Sequence, residues 1–145
     1  MTWGFEIDDY NGSHSYLPVW FLDLDIFGNP INSNLGIPLR VDDLVSKRTR
    51  IDIPRKFACI IANNPHPLRL RLISALSAIG DVDIFGQLGN RYLNSKSELR
   101  NQYRYIISLE NDYFPGYVTE KAFHAWAVGA LPIFWGYDIL DYINK

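Results

Sequence analysis

The sequence is poor in cysteine and has no strong excess of either charge. Cys59 is the single cysteine in 145 residues, which excludes an intrachain disulfide framework. Because Cys59 lies in the apolar run FACIIA, we expect a buried, unreactive thiol. The 14 Lys and Arg and 16 Asp and Glu residues are mixed along the chain and leave a net charge of -2. A nucleic-acid partner usually leaves a basic excess or a basic stripe, so we expect no nucleic acid among the partners.

Long apolar runs are also missing. The longest uncharged stretch, residues 125–137, is shorter than the roughly 20 residues of a membrane-spanning helix and contains both Gly and Pro. Residues 1–10 are acidic where a secretory signal peptide would be basic and then apolar. The sequence therefore predicts a soluble chain with neither a targeting segment nor a membrane anchor.

The motifs of several enzyme classes are missing as well. The sequence has no Walker loop, no G-x-G-x-x-G and no G-x-S-x-G. His14, His66 and His124 are too widely spaced for a metal-ligand pattern, and only His66 falls near the site predicted below. Two D-x-D pairs, at residues 23–25 and 81–83, could indicate a metal-assisted diphosphate site. The second pair enters a strand just after a helix ends, at the wrong edge of a sheet, so we expect no metal and no cofactor.

After residue 56 the sequence alternates regularly between strand and helix patterns. Apolar residues make up 48% of the chain and aromatic residues 14%, which is enough for a buried core. Short apolar runs predict strands at residues 57–62, 82–85, 105–109 and 130–135. The alternation predicts an α/β fold with a Rossmann-like parallel sheet.

Helices are predicted between these strands. The apolar residues of the first helix recur at the spacing of a buried helical face, which Gly80 would end. They are Leu68, Leu72, Leu76 and Ile79. A last helix is predicted over residues 119–128, with Gly129 as its C-terminal cap. Ser95 and Glu98 form a capping-box pair that opens a short helix between the two.

Basic residues occur at two helix starts, where acidic residues are the usual choice. Because a helix N-terminus carries about half a positive charge, cations there are unfavourable unless an anion binds. Arg69 and Arg71 lie in the first turn of the first predicted helix, and Lys121 lies at the start of the last. Both helix starts open at the carboxyl ends of parallel strands, so these cations could share a diphosphate. The alternative, that they are ordinary solvated charges, stays open at this point.

The same segments carry a resemblance to a known family. They are Asn64-Pro65-His66-Pro67-Leu68-Arg69, Ser108-Leu109-Glu110-Asn111, Tyr113 to Gly116, Tyr117-Val118-Thr119-Glu120-Lys121 and Ala130-Leu131-Pro132-Ile133-Phe134-Trp135-Gly136. In this order they resemble the signature of the α-1,3/4-fucosyltransferases, glycosyltransferase family ten. Residues 4–10 and Leu17-Pro18 are similar to a segment of bacterial members. The resemblance spans nearly the whole chain.

This resemblance implies a GT-B architecture, in which two Rossmann-like domains bind GDP-β-L-fucose mainly through the C-terminal one. Carried over by position, Arg69 and Lys121 would neutralise the donor phosphates. Asn111, Tyr117 and Glu120 would contact phosphate, ribose or fucose hydroxyls. The implied reaction transfers L-fucose, with inversion, to a GlcNAc-type acceptor. Fixed cations that stabilise the departing GDP would make a metal ion unnecessary.

The resemblance is incomplete at both ends. The family's general base, a Glu, lies upstream of anything that matches here, and relatives continue beyond Lys145. We therefore expect residues 1–50 to be the tail end of an N-terminal acceptor domain with a linker. Residues 51–145 would be a C-terminally truncated GDP-fucose-binding domain. No catalytic residue is assigned, and the chain alone is expected to be inactive. Candidates for a base within the chain would be Glu6, Asp8 and Asp9.

Two other functions stay open beside a fucosyltransferase. The chain could be a catalytically silent nucleotide-sugar-binding fragment, or a transferase that uses another nucleotide sugar. The expected partners are a nucleotide sugar and a glycan acceptor, and the full-length protein could associate peripherally with a membrane. The expected location is the cytoplasm or membrane periphery of a bacterium, or the Golgi membrane of a eukaryote.

Overall fold

The computed structural model describes residues 56–137 in full and, before them, the backbone of four short strands. β1 (Thr2–Gly4) pairs in parallel with β2 (His14–Tyr16). β3 (Leu24–Asp25) pairs in parallel with β4 (Leu39–Arg40). These four strands therefore form two separate two-stranded parallel sheets.

The rest of residues 1–55, and residues 138–145, lie outside the described residues. The candidate bases Glu6, Asp8 and Asp9 and the first D-x-D pair fall in this part of the chain or have side chains that are not described. How residues 1–50 pack against the remainder therefore stays a prediction.

The main sheet is formed by residues 56–137. Its strands are β5 (Lys56–Ile61), β6 (Val82–Phe85), β7 (Tyr103–Leu109) and β8 (Leu131–Trp135). The order across the sheet is β6-β5-β7-β8, and every neighbouring pair is parallel. The parallel α/β sheet predicted from the sequence is confirmed.

Two α-helices connect these strands. α1 (Pro67–Ser77) lies between β5 and β6, and α2 (Lys121–Ala127) lies between β7 and β8. Two 3-10 helices, Gln87–Gly89 and Lys96–Leu99, lie between β6 and β7, and the second begins with the predicted capping box. In the part of the chain that the structure describes, no helix is long and apolar enough to cross a membrane.

The core occupies both faces of the sheet, and β5 runs through its centre. Because successive side chains of a strand point to opposite faces, Cys59 and Ile60 enter two different clusters. Cys59 packs with residues of α2 such as Phe123, whereas Ile60 packs with Ile73 of α1. Cys59 is fully buried, and burial raises the pKa of its thiol to about 12, as expected for an unreactive cysteine.

The buried face of α1 differs from the predicted one. The helix ends at Ser77, and Ile79, which was predicted to extend the apolar face, is 74% exposed. The N–H of Ile79 donates to the carbonyl of Leu76, three residues back and not four, so the last turn is tighter than an α-helix and Ile79 is left exposed. Gly80 is required for a different reason: a Cβ there would lie 2.6 Å from Cγ of Phe57 on β5.

The second helix is shorter than predicted, and its C-terminal cap is confirmed. α2 begins at Lys121 and ends at Ala127, whereas the sequence pattern predicted residues 119–128. Gly129 has φ +90°, a conformation that favours glycine, and its N–H donates to the carbonyl of Trp126 at 2.9 Å. Thr119 lies before the helix and binds the side chain of Glu110, as described below.

The packing of β5 predicts that Ile60 contributes strongly to stability. Ile60 is 1% exposed, so Ile60→Ala leaves a cavity and should lower the free energy of unfolding by about 2–5 kcal/mol. Ile79→Ala removes the same atoms from an exposed site and should change it by less than about 0.5 kcal/mol. Urea unfolding of both variants measures the difference, and equal losses would contradict this description of the core.

Candidate functional site

The carboxyl ends of β5 and β7 open into one cavity of about 230 Å³, called here the central cavity. In a parallel sheet these strand ends share one edge, and the loops and helices that follow them close over it. The polar and charged residues that line the central cavity are Asn63, Asn64, Arg69, Lys96, Ser108, Asn111, Glu120, Lys121 and His124. They come from two strand-to-helix junctions and from the 3-10 helix Lys96–Leu99.

Four of the five predicted site residues meet in this cavity. Arg69, Asn111, Glu120 and Lys121 line it together, as their positions at the two junctions predicted. Tyr117 is not among the lining residues. Its ring packs on Phe114, with a centroid separation of 4.5 Å, in the loop between Asn111 and α2. The structure therefore brings the two predicted cations into a common cleft with Glu120 but leaves Tyr117 outside it.

The two arginines at the start of α1 have different surroundings. Arg69 is 8% exposed and lines the central cavity, whereas Arg71 is exposed and does not. Residues two apart in a helix are about 200° apart around its axis, so both cannot face the sheet edge. Nη1 of Arg69 donates to the main-chain carbonyl of Asn64. Among the described residues Arg69 has no acidic partner, so a buried positive charge faces the cavity.

Lys121 is held by a carboxylate that the sequence pattern did not single out. Glu110 follows β7 directly, and its side chain is fully buried. Nζ of Lys121 donates to Oε2 of Glu110 and to Oγ1 of Thr119, each at 2.7 Å. A glutamate at the end of an apolar strand was a signal available in the sequence, because a buried carboxylate requires a partner.

Lys96 and His124 form a second pair that the sequence analysis missed. Nζ of Lys96 lies 3.0 Å from Nδ1 of His124. His124 is 4% exposed, and its burial, followed by the charges of Lys96 and Lys121, lowers its pKa to about 3. The imidazole is therefore neutral at pH 7, and its Nδ1 accepts from the ammonium. The spacing of Lys121 and His124, three residues apart in α2, could have indicated that both face the same cavity.

The charges around the central cavity favour an anion. Arg69, Lys96 and Lys121 contribute three positive charges at its surface, and Glu120 contributes one negative charge. Glu110 offsets part of the charge of Lys121 from beneath and does not line the cavity. Because α2 has only seven residues, the side-chain cations account for this balance better than the helix dipole that the sequence argument invoked.

Asp83, from the second D-x-D pair, lies in a hydrogen-bond network at the end of the strands opposite to the central cavity. Asp83 accepts from Lys56 at 2.7 Å, from Arg91 at 2.9 Å and from the hydroxyl of Tyr103 at 2.5 Å. These hydrogen bonds, led by that of Lys56, hold the pKa of Asp83 well below its usual range. The described residues contain no group of three or more His, Cys, Asp or Glu side chains that could hold a metal ion. The absence of a metal requirement stays a prediction.

A smaller cavity of about 180 Å³ lies beside the central one at the ends of β5 and β6. It shares Ile61, Asn63 and Lys96 with the central cavity and is bordered by Tyr92, which is 69% exposed. His66, which the sequence analysis placed near the site, is exposed and lines neither of these two cavities. Lys96 therefore stands between two adjoining spaces at the same edge of the sheet.

The buried imidazole predicts a pH dependence of stability. The ordinary pKa of histidine is 6.5 and that of folded His124 is about 3, so between these values the unfolded chain binds a proton that the folded chain does not. This contribution is complete above pH 6.5 and is lost as the pH falls toward 3. Urea unfolding should show that the free energy of unfolding falls by about 2 kcal/mol when the pH is lowered from about 7.5 to about 5.

Matched histidine variants test whether His124 is the cause. His124→Gln keeps an acceptor for Lys96 and should remove most of the fall in the free energy of unfolding at low pH. His66→Gln changes an exposed imidazole and should leave this fall in place. An unchanged pH dependence in His124→Gln would show that the imidazole is not held neutral by its surroundings.

Known proteins are similar in sequence to the part of the chain that contains the site. A family model described as "Glycosyltransferase family 10 (fucosyltransferase) C-term" matches residues 54–144. The chain is similar to the alpha-(1,3)-fucosyltransferase FucT of Helicobacter pylori, with 35% identity over 88 residues that cover 58% of this chain and 18% of that protein. It is also similar to 4-galactosyl-N-acetylglucosaminide 3-alpha-L-fucosyltransferase 9 of Homo sapiens, with 28% identity over 93 residues that cover 61% of this chain and 26% of that protein.

Solved structures share the fold. The crystal structure of an alpha1,3-fucosyltransferase superposes with a TM-score of 0.68 at 24% identity, covering 96% of this chain and 48% of that one. The structure of alpha1,3-fucosyltransferase with GDP-fucose gives a TM-score of 0.67 at 23% identity, covering 93% and 47%. The predicted fold class, a Rossmann-like parallel sheet of the GT-B architecture, is confirmed.

The matches cover this chain far better than they cover its relatives. The chain spans about half the length of the solved structures and about a fifth to a quarter of the curated relatives. The family match nevertheless takes in the sheet, both helices and every residue that lines the central cavity. Since it covers more than half of the sequence, the chain belongs to glycosyltransferase family 10, the fucosyltransferases.

Proposed function

We propose that this chain forms the donor-binding part of a fucosyltransferase that transfers L-fucose from GDP-fucose to a GlcNAc-type acceptor with inversion. The observation that carries the proposal is the convergence of Arg69 and Lys121, from two strand-to-helix junctions, on the central cavity. Membership of family 10 supports it, as do relatives that are named fucosyltransferases and a solved relative that contains GDP-fucose.

The two cations have the right chemistry for a diphosphate. A guanidinium can bind phosphate oxygens through two parallel N–H groups, and an ammonium adds a compact charge. Arg69 is largely buried and Lys121 is partly buried, so their attraction for an anion is screened less than at an exposed surface. Lys96 is a third cation at the same cavity and adds to the same potential.

The reaction explains why fixed cations are useful. The acceptor hydroxyl oxygen attacks the anomeric carbon of fucose, the bond from that carbon to the β-phosphate oxygen breaks, and the hydroxyl proton passes to a general base. Negative charge grows on the β-phosphate as GDP departs. Cations held beside that oxygen stabilise the transition state more than the ground state, which increases the rate of transfer. We propose that Arg69 and Lys121 have this role.

The remaining predicted contacts concern the neutral parts of the donor. Asn111 and Glu120 line the cavity beside Lys121 and can bond to ribose or fucose hydroxyls. Tyr117 lies outside the cavity on the loop after Asn111, so we place it against a part of the donor that extends beyond the cavity. Glu120 and Asn111 offer acceptors, and Asn111 also offers donors, which is the combination that sugar hydroxyls require.

The domain division and the setting of the whole protein belong to the same proposal. We assign residues 51–145 to the donor domain and residues 1–50 to the end of an acceptor domain with a linker. The acceptor glycan and peripheral membrane association are assigned to the full-length protein. Its location would be cytoplasmic or membrane-peripheral in a bacterium and at the Golgi membrane in a eukaryote.

Binding of GDP is expected to depend on the cations that line the cavity. Arg69→Met and Lys121→Met should each weaken GDP binding by about 10-fold to 100-fold, because each removes a charge-assisted hydrogen bond to phosphate. Arg71→Met changes the same residue type in the same helical turn, but on its exposed side, and should change the affinity by less than about twofold. Titration calorimetry measures all three, and equal losses for Arg69→Met and Arg71→Met would contradict the proposed site.

Transfer itself is tested with the full-length protein, GDP-fucose and an N-acetyllactosamine acceptor. We expect a fucosylated product by mass spectrometry, an unchanged rate in EDTA and a much lower rate in Lys121→Met. Chain 1–145 alone should give no useful rate. GDP binding without transfer by the full-length protein would favour a silent binding domain, and product only from another nucleotide sugar would favour a different transferase.

A further inference from the structure

A buried carboxylate lies directly beneath the central cavity and is not part of its surface. The side chain of Glu110 is fully buried, while that of Lys121, its partner, is 26% exposed and lines the cavity. A buried charge without partners would be strongly unfavourable, so its contacts must be well made. Glu110 is therefore a residue whose influence on a ligand has to pass through its neighbours.

Among the described residues, the hydrogen bonds of this carboxylate come from Thr119 and from Lys121, the first residue of α2. Oε1 accepts from the N–H of Thr119 at 2.7 Å, and Oε2 accepts from Nζ of Lys121 at 2.7 Å. The hydroxyl of Thr119 lies 2.9 Å from one carboxylate oxygen and 2.7 Å from the other. Because the same hydroxyl also accepts from Lys121 at 2.7 Å, the three groups form a closed triangle.

The backbone fixes the position of the carboxylate from the other side. The N–H of Glu110 donates to the carbonyl of Trp135 at 2.8 Å, which extends the pairing of β7 with β8 by one residue. A Cβ on Gly136 would lie 2.6 Å from Cγ of Glu110, so only glycine leaves room for the glutamate stem. The backbone and the stem of Glu110 are thus fixed by β7 and β8.

We propose that Glu110 is a positioning residue for anion binding, which holds the ammonium of Lys121 at the cavity through the triangle with Thr119. This inference rests on the proposed function, because it concerns the cation that would meet the donor phosphates. Two of the three N–H groups of Lys121 are engaged by Glu110 and Thr119, and the described residues leave the third for a ligand. A lysine that is already placed loses less side-chain entropy when the anion binds.

The same geometry argues against a catalytic role for Glu110. Its oxygens accept from three donors and are not at the cavity surface, so Glu110 is placed neither to touch a sugar nor to receive a proton from an acceptor hydroxyl. The effect of Glu110 on a ligand should therefore depend entirely on the presence of Lys121.

A substitution at Glu110 can test this dependence in the full chain. Glu110→Gln keeps the size of the side chain but places an amide N–H₂ group toward either Lys121 or Thr119, where an acceptor is needed. We expect GDP binding to weaken by about 10-fold to 100-fold, the range for one charged hydrogen bond. Binding of guanosine, which has no phosphate, should change by less than about twofold, as distant screened charges predict. Asp112→Asn, an exposed carboxylate two residues away, is the matched control and should have no effect.

A double-mutant cycle distinguishes positioning from a general structural effect. If Glu110 acts through Lys121, the double variant Glu110→Gln/Lys121→Met should bind GDP no more weakly than Lys121→Met alone. Additive losses, an equal loss of guanosine binding, or normal GDP binding by Glu110→Gln would each overturn the inference. If Glu110→Gln does not fold, Glu110→Asp, which keeps the charge but shortens the reach, takes its place in the cycle.

A measurement without ligand keeps this inference separate from the proposed function. An amine held against Glu110 and Thr119 is shielded from an N-hydroxysuccinimide ester, so Lys121 should be acylated several-fold faster in Glu110→Gln than in the wild type or Asp112→Asn, as seen by peptide mass spectrometry. Failure of the wild type to bind GDP would refute the proposed function alone. Unchanged acylation of Lys121 in Glu110→Gln would refute the positioning role, whatever the wild type binds.

Discussion

The contact of the buried Glu110 carboxylate with Thr119 and Lys121 determines the geometry of the site. It joins the end of β7 to the start of α2, while the backbone of Glu110 pairs with β8. The N–H and the hydroxyl of Thr119 both bind Glu110, two residues before α2 begins at Lys121. A buried carboxylate needs several donors, and the chain supplies them by folding the loop after β7 back over the strand end.

The balance of charge differs between the two ends of the parallel strands. Asp83, near the start of β6, is surrounded by Lys56, Arg91 and Tyr103. At the carboxyl ends of β5 and β7 the cations exceed the carboxylates, and Arg69 has no acidic partner among the described residues. Because both edges belong to the same four strands, the difference arises from the side chains and from the loops that close over the carboxyl ends. Among the described residues, the balance of charge at the carboxyl ends favours an anionic ligand.

The neutral state of His124 follows from the same arrangement. Burial disfavours the protonated imidazole, and the charges of Lys96 and Lys121 add to this effect, so the pKa of His124 falls and the ring accepts a hydrogen bond from Lys96. His124 therefore supports a cation without competing for the anion.

The sequence by itself determined the class of fold, the strand-helix order and which segments meet at the site, because apolar periodicity and helix-cap residues are local signals. Cations at two helix starts break a local preference, so the sequence also predicted that Arg69, Arg71 and Lys121 could meet, and the family resemblance selected Arg69 and Lys121 among them. Only the tertiary structure decided that Arg69 faces the cavity while Arg71 faces solvent, and that Ile79 leaves the apolar face of α1. Glu110, Lys96 and His124 were missed as site residues because their roles arise from partners 9 to 28 positions away along the chain. The pairing of Glu110 depends on how the loop after β7 folds back over the strand end, and that of Lys96 with His124 depends on how distant segments pack together.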